Sequence, residues 1–173
     1  MLKRVQRKLA VGFALLSGMV ASGLALRSAI ALPEGFSWVF GTNGYVPPGA
    51  IPGGSEPGRI LYICHGWYQG GLHPGKIVGA NCNIGWGGRE VLLNAYEVLV
   101  GDQWRVQWID ASHGVVPEGA VSGGYEPGRP NLYICRAQYR GWQPGKIVGE
   151  NCNFGYGGEE KLSVYYQVLT ANE

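Results

Sequence analysis

From Trp38 to Leu169 the chain is written twice, and this duplication limits its fold more than any other feature. The stretch from Trp38 to Leu99 reappears from Trp108 to Leu169. EPGR at 56–59 returns at 126–129, PGKIVG at 74–79 returns at 144–149, and NCNIGWGG from Asn81 becomes NCNFGYGG from Asn151. The offset is 70 residues at Trp38/Trp108, 71 at Cys64/Cys135 and 70 again at Lys76/Lys146, so the copies differ by compensating single-residue indels. A function carried by residues kept in both copies is expected at two places.

Residues 1–31 are a different kind of sequence. Lys3, Arg4, Arg7 and Lys8 precede an uncharged apolar run from Leu9 to Leu26, and Ala29-Ile30-Ala31 supplies the small-x-small pattern of a signal-peptidase site. Cleavage after Ala31 and export, to the periplasm or the exterior, are therefore expected. Membrane contact is expected only through this leader, if it stays uncleaved. The leader carries five of the 14 Lys and Arg and no acidic residue, leaving nine basic against twelve acidic side chains after Ala31, a net charge of −3. A mildly acidic chain without a basic stripe is a poor nucleic-acid binder, and that class is excluded.

The remaining chain divides into a first repeat, 32–103, and a second, 104–173. Each is small for an independent core. Short aromatic and β-branched runs such as Ile60-Leu61-Tyr62-Ile63-Cys64 and Tyr165-Tyr166-Gln167-Val168-Leu169 are bounded by Gly, Pro and Asn, the pattern of strands and tight turns. The expectation is an all-β fold of two antiparallel repeats packed about a pseudo-twofold axis. Merging two half-size cores lets strands of one copy complete the sheet of the other.

Four cysteines allow three pairings. Cys64 and Cys82 lie nearly symmetrically about Pro74-Gly75, and Cys135 and Cys152 about Pro144-Gly145. With these Pro-Gly pairs read as turns, each cysteine pair faces across a hairpin, which predicts the disulfides Cys64–Cys82 and Cys135–Cys152. A thiol nucleophile at Cys64-His65 is disfavoured because neighbouring strand residues point to opposite faces and copy two has Arg136 instead of the histidine. A zinc set of Cys64, His65, His73 and Cys82 matches no common spacing and has no counterpart in copy two, so neither metal nor cofactor is expected.

Charged residues kept in both copies are few: Glu56/Glu126, Arg59/Arg129, Lys76/Lys146 and Glu90/Glu160. Their plain readings are a local ion pair across each Glu-Pro-Gly-Arg turn and a solvent-facing lysine at each strand start. The sharper reading joins them. A carboxylate accepts hydroxyl hydrogen bonds and an ammonium donates up to three, so a converging Glu and Lys could grip vicinal sugar hydroxyls. Trp67, Tyr68 and Trp86 in copy one, and Tyr139, Trp142 and Tyr156 in copy two, are candidates to face the sugar's C–H surface.

In this order, a leading Trp, Pro-x-Gly-Ala (47–50 and 117–120), Gly-Gly-x-Glu, Leu-Tyr-Ile-x-Arg-Ala, Pro-Gly-Lys, Cys-x-x-x-Tyr-Gly-Gly-x-Glu and Tyr-x-Val-Leu resemble the DM-nine repeat family. Members of that family usually carry tandem copies and include mannose-specific mollusc lectins. The resemblance implies mannose-type glycans as partners and matches the lectin residues to Glu56 with Lys76 and to Glu126 with Lys146. Copy two keeps Arg136-Ala137 where copy one has His65-Gly66, which adds Arg136 to the candidate binding set and favours the second copy. The function read from the sequence is a secreted, non-enzymatic, carbohydrate-binding protein. A structural or protein-interaction module, of the cell envelope or a toxin-like assembly, is the alternative. A glycosidase would need two carboxylates in one cleft, roughly 5 to 10 Å apart, and neither copy presents such a pair. A homodimer is left open.

Overall fold

A computed structural model describes residues 31–172; the leader's apolar run lies outside these described residues. Copy one contributes β1 (Ser37–Thr42), β2 (Pro52–Glu56), β3 (Arg59–Tyr68), β4 (Gly71–Val78), β5 (Asn81–Trp86), β6 (Arg89–Leu93) and β7 (Ala95–Val100). Copy two repeats the series as β8 (Val106–Ser112), β9 (Ser122–Glu126), β10 (Arg129–Gln138), β11 (Trp142–Val148), β12 (Asn151–Tyr156), β13 (Glu159–Ser163) and β14 (Tyr165–Ala171). Between them lies a single 3₁₀ turn, Gln103–Arg105, whose first free amide, that of Trp104, is accepted by the Asp102 carboxylate at 2.9 Å.

The strands form one antiparallel sheet in the order β1-β7-β3-β2-β11-β12-β13-β6-β5-β4-β9-β10-β14-β8, and β3 also pairs with β4 and β10 with β11. The run from β3 through β2, β11, β12, β13, β6, β5 and β4 thus returns to β3 as a closed barrel of eight strands. Exchanging each strand for its counterpart in the other copy maps this order onto itself, so the pseudo-twofold relation is present. Among the described residues three strand pairings cross between the copies: Ser55 opposite Trp142, Leu72 opposite Tyr125, and Arg89 opposite Glu159. At the first two, Gly54 and Gly124 admit the neighbouring backbone; a Cβ on Gly124 would lie 1.9 Å from the Leu72 carbonyl oxygen. The third sits where a position meets its own counterpart. Identical charges would oppose one another there, and the copies carry Arg89 and Glu159 instead.

The core has two private parts and one shared part. Cys64, Ile77, Cys82, Ile84, Tyr96 and Val98 cluster within copy one, and Cys135, Ala137, Ile147, Cys152, Phe154, Tyr166 and Val168 within copy two. Ile51, Ile63 and Leu99 pack with Val121, Ile134 and Leu169 between them. Burial of these aliphatics, about 1.5–3 kcal/mol for each fully covered side chain, joins the halves as well as filling each of them.

Both expected disulfides are present, with Cα atoms 6.0 Å apart in Cys64–Cys82 and 5.9 Å apart in Cys135–Cys152. Their geometric basis differs from the hairpin expectation. Pro74-Gly75 is buried inside β4, opposite His65 and Cys64, and Cys82 faces Ile77 on the other side of that strand. Each bridge therefore ties together the two neighbours of a central strand. Gly75 and Gly145 are kept for close approach instead of for turning, since a Cβ at Gly145 would stand 2.1 Å from the Asn153 carbonyl oxygen. The bridges also consume both thiols of the zinc arrangement considered above. Two disulfides suit an oxidising, extracellular type of environment. No helix among the described residues is long and apolar enough to cross a membrane.

Candidate functional site

Lys76 and Lys146 are not solvent-facing. Each is 1% exposed, at the middle of three strands: Lys76 stands between Ile63 and Asn83, and Lys146 between Ile134 and Asn153. The ammonium of Lys76 donates to the carbonyl of Gly155 at 2.7 Å and to Gln143 Oε1, both in the other copy. Lys146 Nζ returns the arrangement by donating to the Gly85 carbonyl. These donors satisfy strand carbonyls that burial would otherwise strand. Desolvation lowers both ammonium pKa values from 10.5 to about 8, partly offset by Glu90 and Glu56 for Lys76 and by Glu160 and Glu126 for Lys146.

The Glu-Pro-Gly-Arg turns do form the local ion pairs read from the sequence. Arg59 Nε lies 3.0 Å from Glu56 Oε1, and Arg129 Nη1 lies 2.5 Å from Glu126 Oε1. The arginines are half exposed, whereas the glutamates are mostly covered and face the lysines. Each arginine orients its carboxylate from the solvent side.

A cavity of about 420 Å³ collects Glu126, Arg129, Lys146, Asn153 and Glu160 from copy two with Gln69, Trp86 and Gly87 from copy one. This volume is within the usual range for small-molecule sites, about 300–1,000 Å³. The structure brings Glu126 and Lys146 to one cavity. The aromatic assignment is corrected, because Trp86 sits beside the lysine of the opposite copy. Reciprocally, Tyr156 lies under the Lys76 ammonium, 5.2 Å from ring centre to Nζ. Tyr68 packs edge-on to Trp86 at 5.3 Å and Tyr139 to Tyr156 at 5.1 Å, backing each wall. Neither copy makes a site alone.

Glu90 and Glu160 hold the rims. Glu90 accepts from Asn83 Nδ2 at 2.8 Å and from the Gly158 amide at 2.9 Å; Glu160 accepts from Asn153 Nδ2 at 3.0 Å and from the Gly88 amide at 2.8 Å. Each carboxylate thus anchors the Gly-Gly turn of the opposite copy.

Arg136 is not among the residues lining this cavity. Its guanidinium is stacked between Trp108, 4.2 Å away, and Trp142, 4.6 Å away, and its Nε donates to Gln167 Oε1 at 2.8 Å. Burial lowers its pKa to about 10. His65 fills the matching place in copy one, stacked on Trp38 with ring centres 3.6 Å apart. Its Nε2 meets Glu97 at 2.8 Å and its Nδ1 meets the Gly123 carbonyl at 2.6 Å. The difference between His65 and Arg136 therefore leaves both lysine sites intact and gives no ground for ranking them. Trp67 and Trp142 likewise stand apart, against Tyr125 and Arg136 respectively.

Two residues that the sequence reading left out of the site are His73 and Gln143, which occupy equivalent positions before Pro-Gly. Gln143 joins the Lys76 site, where its Nε2 donates to the Tyr139 carbonyl at 3.1 Å and to Glu56 Oε2 at 3.3 Å. His73, which is 0% exposed, lies with its Nδ1 3.8 Å from Glu126 Oε2. The available signal was a polar residue directly before Pro-Gly-Lys in both copies.

Fold and cavity together define a tandem-repeat all-β protein whose polar clefts are shared between its repeats. The DM9 repeat profile matches residues 29–81 and 61–162, and the chain belongs to the DM9 repeat family. Among solved structures it is similar to the nematode sperm cell motility protein MFP2B, with a TM-score of 0.58 and 16% identity, over 79% of this chain and 47% of that one. The chain thus spans about half the length of that protein, and the likeness is one of fold. No curated protein matches the sequence.

Proposed function

We propose that this chain is an exported, non-enzymatic carbohydrate-binding protein with one site on each side of its pseudo-twofold axis. The observation that carries this reading is the convergence of the buried Lys146 ammonium and the Glu126 carboxylate on one cavity walled by Trp86. An ammonium donor beside a carboxylate acceptor suits the adjacent hydroxyls of a sugar, and an indole suits its C–H face. Mannose-type glycans are the proposed class. Single contacts of this kind are weak, so useful affinity would come from two sites engaging one glycan-coated surface.

The test is a glycan array and calorimetry on the chain from Leu32 onward. Binding of mannose-type glycans, lost when Lys76→Ala and Lys146→Ala are combined, is the expected result. Absence of binding across the array sinks the reading. A protein-interaction role is the second reading, favoured by a separate apolar hollow of about 330 Å³ that includes Phe40, Trp67 and Leu72. A partner captured through that hollow and retained in excess free mannose would support it.

A further inference from the structure

The buried polar groups of the two lysine sites differ at one position. At the Lys76 site Gln143 uses both ends of its amide: the NH₂ donates to Tyr139 and Glu56, and Oε1 accepts from the lysine. At the Lys146 site His73 reproduces only the backbone contact, its Nε2 lying 3.0 Å from the Tyr68 carbonyl. A carbonyl can only accept, so the proton sits on Nε2 and Nδ1 carries the lone pair. That Nδ1 is buried without a hydrogen-bond partner. Its neighbour at 3.8 Å, Glu126 Oε2, is a second acceptor. Two acceptors so placed repel unless a donor lies between them, and unpaired buried acceptors are costly. Asn153, which lines the cavity together with Glu126, also carries a buried Oδ1 without a partner, as does Asn83 at the Lys76 site.

We propose that His73 is a hydroxyl-recognising residue of the Lys146 site, its Nδ1 and the Glu126 carboxylate accepting from adjacent hydroxyls of a bound polyol while Lys146 donates to them. This rests on the carbohydrate reading above and extends it. The two sites are then unequal, because at the Lys76 site the corresponding acceptor is already taken by the lysine. The sites diverge in specificity at His73/Gln143, not at His65/Arg136.

The charged groups facing His73 are Lys146 on β11, Glu126 on β9 and Glu160 on β13. Desolvation, reinforced by Lys146, lowers the histidine pKa to about 4, so the ring is a neutral acceptor at neutral pH. Protonation at Nδ1 would turn it from an acceptor into a donor toward Glu126.

The test titrates methyl α-mannoside into the chain from Leu32 onward carrying Glu56→Gln, which removes the carboxylate of the other site. Adding His73→Leu is expected to weaken binding about tenfold or more, the usual effect of removing a buried acceptor from a ligand hydroxyl. His73→Gln, the residue already accommodated at the equivalent position, is expected to weaken it too, because Lys146 then donates to the new amide. In the chain without any His73 substitution, the Nδ1 ¹⁵N resonance of His73 is expected to move on sugar saturation, a response that a purely structural histidine would not show. Binding that survives both substitutions within twofold, or an Nδ1 resonance indifferent to sugar, overturns the proposal and leaves the carbohydrate reading standing. A chain that binds no sugar before any His73 substitution overturns both.

Discussion

Lys76 Nζ donates to the carbonyl of Gly155 across the boundary between the copies, 2.7 Å away, and is 1% exposed while doing so. Burial lowers its pKa, and that of Lys146, from 10.5 to about 8. The unfolded chain therefore binds more protons than the folded one between about pH 8 and 10, and linkage makes stability rise with pH there. Below pH 8 both states are protonated and the full cost of the buried charge applies. Above about pH 10 the raised Tyr96 and Tyr166 hydroxyls reverse the trend. Denaturant midpoints should climb from pH 8 to 10 in the native sequence and stay flatter in the Lys76→Met, Lys146→Met pair. Parallel profiles would show that the lysines ionise normally in the fold.

Each disulfide lies in a private core cluster, so each should stabilise its own half first. Replacing Cys135 and Cys152 by Ser is expected to cost about 3 kcal/mol. Hydrogen exchange should accelerate in β10–β12 well before β3–β5. Equal acceleration in both halves would mean that the shared core, and not the private one, carries the bridge's effect.

Gly145→Ala places a Cβ 2.1 Å from a main-chain oxygen that cannot move without breaking the β11–β12 pairing. A loss above about 3 kcal/mol follows, or a fall of about 10 °C or more in Tm. Gly157→Ala is the control: its Cβ meets nothing within 4 Å and only the positive φ of 64° is strained. That should cost about 1–2 kcal/mol. Similar losses for the two variants would count against the close-approach account of Gly145.

Arg136→Ala removes a guanidinium held between two indoles. The expected cost is about 1–2 kcal/mol of stability, with mannoside affinity unchanged, because the side chain stacks away from the lysine cavity. A specific loss of sugar binding at unchanged Tm would return Arg136 to the binding set.

The duplication makes the class of fold, the pseudo-symmetry and the cysteine pairs legible in the residues alone. What it hides is the path of the strands. Pro74-Gly75 has the composition of a turn, yet it lies within β4 because only a residue without a Cβ fits beside the Asn83 carbonyl. Lysine is read locally as a surface residue. Lys76 is buried against partners in the other copy, and His73 lies beside Glu126 of that copy; no local pattern encodes either contact. The kept Glu and Lys are visible as a pair, but the wall facing them, Trp86 or Tyr156, comes from the other copy, and comparison within one copy cannot assign it.

The exchanged pairings also set an order of events for the growing chain. The last strand of copy one ends at Val100, but the free edge of β2 has no partner until Trp142 is made, and the Leu72 end of β4, beyond its pairing with β5, has none until Tyr125. Until then its half of the shared aliphatic core is open and Lys76 has no carbonyl from Gly155 to meet. A lone repeat would present the same open edges to any other chain, and a second copy of itself is the partner that fits them. Covalent linkage supplies that partner in cis, so the first repeat becomes a finished structure only when the second has been synthesised.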